Sequence, residues 1–183
     1  MRRRPAPITV KRQVSVARVQ TISRRAMRGQ LRFGHQIWPC ALGRGGQQVM
    51  KREGDGATPI GRWAVRSVYS RGDRIKRTST CMPFTTLRRS DGWCDASDDR
   101  NYNRPVRHPY PASAERLWRE DHVYDLIVVL GYNDAPRRRG RGSAIFLHAA
   151  RAGFTPTEGC IALALPHLIQ LVQRLRRGSL VII

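Results

Sequence analysis

The stretch IFLHAARAGFTPTEGCIAL, Ile145 to Leu163, sets one histidine, His148, ahead of a Gly159-Cys160 pair, with eleven residues between His148 and Cys160. A thiol attacks a carbonyl as thiolate, and an isolated cysteine with a pKa of about 8.5 is mostly protonated near neutrality. A histidine within reach in space corrects that by taking the proton. His148 ends the apolar run AIFLH, and Cys160 opens the run IALAL after a Thr-Pro-Thr-Glu-Gly turn. Two neighbouring strands joined by that loop would set both side chains at one end of a sheet. Gly159, lacking a side chain, would let a substrate carbonyl approach the backbone, so that the Gly159 and Cys160 amides could hold an oxyanion. Glu158 flanks the pair and could bind an amine or repel a carboxylate. The alternative is a strand-end histidine and a small buried cysteine with no shared chemistry.

The elements that must position these residues are mostly strands. Short runs with alternating apolar residues recur from Ile8 to Leu42, and RWAVRSVYSR alternates as a half-buried strand. DLIVVLGY and SAIFLHAA are continuous apolar runs and read as buried strands, joined by the basic turn RRRGRG. A Gly-rich loop covers Gly43 to Gly61. Residues 77–112 read as loop, and SAERLWRE as a short helix capped by Ser113. Leu165, Leu168, Ile169, Val172 and Leu175 recur at helical spacing, so 165–176 is an amphipathic helix ending near Gly178, and LVII is a last strand. The long stretch from Ser90 to Glu120 exceeds what a connector needs. It holds Trp93, Asn103, Arg107, His108, Tyr110 and Trp118, which are candidates to line a substrate groove, with packing of the loop as the alternative.

The chain has 183 residues, a length that suits one domain: a flexible basic tail over 1–5, then a single unit over 6–183. The formal charge is +21, and residues 1–50 hold eleven basic and no acidic residues. Such a balance favours an anionic partner: nucleic acid, anionic lipid or a carboxylate-rich wall polymer. No helix-turn-helix, zinc or stacking motif supports nucleic acid. No apolar run is long enough to span a membrane, and no apolar stretch follows the basic start as a secretory signal would require. None of Cys40, Cys81, Cys94 and Cys160 stands in CxxC spacing, which speaks against zinc; Cys81 and Cys94 could pair in an oxidising compartment.

HAARAGFTPTEGCIAL resembles the active-site signature of the L,D-transpeptidase catalytic domain family (YkuD-like), in which a histidine precedes a Ser/Thr-x-Gly-Cys segment. KREGDGATPIGRWAV, Lys51 to Val65, resembles the family's Thr-Pro-x-Gly segment in its proteobacterial form. GWCD, RLWRED, YDLIVVLGYN and GRGSAIFLHA extend the likeness over roughly residues 30–183. The resemblance implies a mainly β (α+β) fold, a β-sandwich or mixed sheet with a long loop and a C-terminal amphipathic helix. It implies a cysteine acyltransferase of peptidoglycan in the periplasm or cell envelope, acylated by carbapenems. Cys160 would form a thioester with a donor stem peptide, and His148 would take the thiol proton. The Ala149 carbonyl would orient the imidazole, and the Gly159 and Cys160 amides would hold the oxyanion. The implied partners are stem peptides; no metal or organic cofactor is implied, and the chain is read as a monomer. The same thioester resolved by water would make a carboxypeptidase or endopeptidase. Against commoner family members the His-to-Cys loop is trimmed, Glu158 stands where a second histidine is usual, and Ala162 where Arg or Asn is.

Overall fold

Apolar runs and alternating stretches become strands in a computed structural model that describes residues 15–76 and 78–183. The tail over 1–5 and the apolar run Ile8–Val10 lie outside the described residues. The strands are β1 (Val16–Gln20), β2 (Arg28–Phe33), β3 (Gln36–Ala41), β4 (Gln47–Gln48), β5 (Thr58–Pro59), β6 (Arg62–Ser70) and β7 (Phe84–Thr86). They continue with β8 (Asp91–Cys94), β9 (Pro105–Arg107), β10 (Ala114–Arg116), β11 (Leu126–Leu130), β12 (Phe146–Ala149), β13 (Ile161–Leu163) and β14 (Leu180–Ile182). Among the described residues the one α-helix, α1, is Leu165–Arg174.

Nine strands form one mixed sheet in the order β11-β12-β13-β3-β2-β1-β14-β6-β7, and β11 also pairs with β6. That extra pairing closes the sheet on itself, with β7 appended to the long strand β6. Most neighbours are antiparallel, but β12 and β13 run parallel, as do β1 and β14 and β6 and β7. Inside the ring pack Leu31, Trp38, Leu42, Val128, Leu147, Ile161 and Leu163 with Leu168, Leu171 and Val172 of α1. The helix ends at Arg174 rather than at residue 176. Leu175 turns extended at φ −63°, ψ 145°, and its N–H still bonds the Leu171 carbonyl at 3.0 Å. A turn closed by the Ser179 N–H to the Arg176 carbonyl then feeds β14, with Gly178 at φ +89°.

β11 and β12 are buried on both faces, which is why they read as unbroken apolar runs. Leu126, Val128 and Leu147 point into the ring. Ile127, Val129 and Phe146 point outward, where Leu87, Trp93, Leu117, Val123 and Tyr124 cover them. That cover is the stretch expected to be loop over 77–112 and helix over 113–120. Residues 78–112 remain largely loop but carry short strands, two of which join β10, formed where the helix was expected, in a second, three-stranded sheet, β10-β8-β9. Ala114, Glu115 and Arg116 pair with Cys94, Trp93 and Gly92, so cross-strand pairing overrides the local helix signal of Ser113 and Glu115. Strand geometry also sends Leu117, 1% exposed, into the cluster over β12. Cys81 and Cys94 are both free, one exposed and one buried.

Candidate active site

Side chains two apart on a strand share a face. The parallel register pairs Leu147 with Ile161 and His148 with Ala162. Leu147, Ile161 and Leu163 thus fill the ring, while Phe146 and His148 on β12, with Cys160 and Ala162 on the β13 side, face the covering sheet. His148 and Cys160 line one cleft of about 470 Å³, together with Glu115, Tyr124, Arg119 and Glu158. A larger cavity, about 620 Å³, lies between β7 and β9 and contains neither residue.

The turn before Cys160 is held by Thr157. Its N–H bonds the Leu42 carbonyl at 2.9 Å, its carbonyl accepts from Arg44 N–H at 2.8 Å, and its hydroxyl donates to the Cys160 carbonyl at 2.6 Å. The same hydroxyl accepts the Gly159 N–H at 3.2 Å. The Gly159 amide, expected as an oxyanion donor, is therefore committed within the turn, which leaves the Cys160 amide as the backbone donor to consider. Glycine is required at 159 for another reason: its φ is +129°, and a Cβ there would lie 2.7 Å from the Ala57 carbonyl oxygen.

His148 is 4% exposed, and its Nδ1 lies 2.9 Å from the Ala149 carbonyl oxygen. A carbonyl can only accept, so Nδ1 carries the proton and Nε2 is left as an acceptor. Burial pulls the imidazole down to about 4 although the Ala149 carbonyl works the other way; Arg151 and Arg119 add to the fall. The Cys160 thiol donates to the Ala144 carbonyl at 3.1 Å and accepts from Phe146 N–H at 3.3 Å. Burial pushes it up to about 12, the Glu115 charge adds to this, and the Phe146 N–H and Lys51 oppose it. Both groups are therefore neutral at physiological pH, rather than a preformed thiolate–imidazolium pair.

Of the residues expected along the substrate groove, Glu158 lines the cleft, paired with Arg44 at 2.8 Å where both side chains are mostly exposed. The others do not. Asn103 is buried and uses its whole amide: Oδ1 accepts from Trp93 Nε1 at 2.9 Å and from Ala144 N–H at 3.1 Å. Its Nδ2 donates to the carbonyls of Tyr132 and Asn133. Trp93 and Asn103 thus support the backbone whose Ala144 carbonyl accepts the thiol's hydrogen bond. Arg107 lines the other cavity. His108 packs on Gly92, where a Cβ would lie 2.5 Å from its Nε2. Trp118 lies under the Arg71 guanidinium, 3.5 Å from the ring centroid.

Three cleft residues, Glu115, Tyr124 and Arg119, escaped sequence reasoning. The Tyr124 hydroxyl donates to Glu115 Oε1 at 2.7 Å, and its ring meets the His148 ring edge-on at 5.3 Å. Arg119 bonds Asp121 through Nε and Nη2 at 2.9 and 2.6 Å. Lys51, 3% exposed, lies behind the turn. Its Nζ is 2.5 Å from Asp55 and 3.4 Å from where a Gly159 Cβ would be.

A neutral thiol and an imidazole with a free acceptor nitrogen, on one face of adjacent strands in an open cleft, can carry out acyl transfer through a thioester. The family model of the L,D-transpeptidase catalytic domain, YkuD, matches residues 19–183. The chain belongs to this family of L,D-transpeptidase-type enzymes, which act on peptidoglycan. Neither the curated proteins nor the solved structures gave a match.

Proposed function

We propose that the protein is a peptidoglycan L,D-transpeptidase of the cell envelope, a single catalytic domain that joins stem peptides through a Cys160 thioester. The observation that carries this reading is the His148 tautomer: Nδ1–H is bonded to Ala149, so Nε2 can accept the thiol proton. Because both groups start neutral, proton transfer accompanies attack. Cys160 Sγ bonds to the donor carbonyl carbon as its proton passes to His148 Nε2. The oxyanion is held by the Cys160 amide. The C–N bond then breaks, the leaving amine takes the proton from His148, and a thioester remains. An acceptor amine attacks that carbonyl and gives a proton to His148. The C–S bond breaks, and the thiolate recovers the proton. All the groups invoked are protein groups, and the basic surface suits a carboxylate-rich wall.

The test is incubation with purified sacculi followed by muropeptide separation. New crosslinked dimers made by the wild type support the reading; shortened monomers would instead mean that water resolves the thioester.

A further inference from the structure

We infer that Lys51 is a positioning residue for the oxyanion site: its buried side chain is wedged between Gly142 and Gly159 and holds the Gly159–Cys160 turn so that the Cys160 amide meets the oxyanion. The inference rests on the acyl-transfer reading of Cys160. A Cβ added at Gly142 would lie 2.8 Å from Lys51 Cε, and one added at Gly159 would lie 3.4 Å from Lys51 Nζ. The lysine therefore packs against both backbone segments that meet at the sulfur. Gly142 leads into Ala144, whose carbonyl accepts the thiol's hydrogen bond, and Gly159 precedes the nucleophile. Both glycines have positive φ, +95° and +129°. Glycine restrains its own backbone least, so neighbouring groups must fix the peptide planes that follow.

Lys51 is itself held at its head. Nζ donates to Asp55 Oδ1 at 2.5 Å and to the Arg52 carbonyl at 3.2 Å. The same Asp55 oxygen accepts the Ala57 N–H at 2.9 Å, and Oδ2 accepts the Arg52 N–H at 2.7 Å. Ala57 completes the brace, because its carbonyl oxygen would lie 2.7 Å from a Cβ at Gly159. Asp55 thus sets two groups, an ammonium and a carbonyl, against one side of Gly159. With the Gly159 amide committed to Thr157 Oγ1, the Cys160 amide is the donor whose direction this brace controls. Lys51 lies outside the lining of the cleft, so it acts through the turn and not on the substrate. An apolar side chain would fill the same space without the desolvation that a buried ion pair costs. What the pair adds is a fixed head, and a shift of about 1 Å in a catalytic group can cost about 100-fold in rate.

Two reactions at one sulfur separate this role from a general loss of structure. Acylation by a carbapenem, whose strained β-lactam carbonyl stands in for the donor, passes through a tetrahedral oxyanion. Alkylation by iodoacetamide does not: sulfur displaces iodide from a methylene carbon, and the thiol proton leaves to His148 or solvent. Peptide mass spectrometry follows both at Cys160, apart from the exposed Cys81. Lys51→Met keeps an unbranched stem and removes the ammonium. It should slow acylation by about 100-fold. Alkylation should slow far less, since burial, Glu115 and the Phe146 N–H all bear on the thiol more than Lys51 does. Asp55→Asn weakens the hold on Lys51 while keeping an acceptor for the Ala57 N–H. It should show the same selective loss, smaller in size, and it decides the matter if Lys51→Met fails to fold. With a peptide donor, kcat should fall while KM stays near the wild-type value. Equal slowing of both reactions in a folded variant, or acylation at the wild-type rate, overturns the brace. A wild type that is alkylated at Cys160 but acylated by neither carbapenem nor peptide donor refutes the acyl-transfer reading instead, and the brace with it.

Discussion

The Cys160 thiol donates its hydrogen bond to the Ala144 carbonyl at 3.1 Å. Ala144 sits at φ +52°, a conformation that an alanine adopts only when held there, and its N–H is fixed by Asn103 Oδ1. The resting sulfur is thus parked on backbone that Asn103 positions. Asn103→Ala removes the partners of four groups, two of them in buried hydrogen bonds, and a buried group left unmet costs ~1–3 kcal/mol. It should lower stability by more than about 2 kcal/mol in urea unfolding and also slow acylation per folded molecule. Asn103→Ala unfolding like the wild type would remove Asn103 from this role.

Arg107→Ala is the contrast. Arg107 is exposed beside the other cavity, so its loss should leave stability within about 0.5 kcal/mol and leave donor kinetics unchanged. A raised KM for the donor would show that the groove extends to β9 after all.

His148 should shape stability in acid. Burial holds the folded imidazole at about 4, below its ordinary value of 6.5. Between those values the unfolded chain binds a proton that the folded chain refuses. The contribution is therefore full above about pH 6.5 and lost as pH falls toward about 4, on the order of 3 kcal/mol in total. His148→Asn removes that titration. Wild type should lose more stability than the variant across this window, and parallel losses would mean that the imidazole titrates normally.

His148 should matter equally to rate. His148→Ala should slow acylation of Cys160 by about 100-fold or more, whereas replacing His35, His108, His122 or His167 should do far less. A comparable loss at any of those four would point to a different base.

What was legible in the sequence follows the range of the interactions. His148 and Cys160 could be paired because each lies at an edge of an apolar run, and strand period then sets them on one face. β11, β12 and α1 were legible for the same reason: buried faces leave a periodic record. Glu115 was not, since SAER carries a local helix signal and becomes strand only by pairing with Trp93. Asn103 looked like a polar loop residue, and nothing nearby shows that its four partners arrive from Trp93, Tyr132, Asn133 and Ala144. Lys51 meets the Gly159 turn only because the sheet closes, and no sequence pattern reports that approach.

Cys160 as nucleophile is the central claim, and trapping the acyl-enzyme tests it most directly. A carbapenem, whose strained β-lactam carbonyl can acylate a nucleophilic thiol, is incubated with wild type and with Cys160→Ser, and the adduct is located by peptide mass spectrometry. The account predicts a single adduct, on Cys160, absent from the variant, with muropeptide crosslinking lost in the same variant. An adduct on Cys40, Cys81 or Cys94, or crosslinking that survives Cys160→Ser, would contradict it.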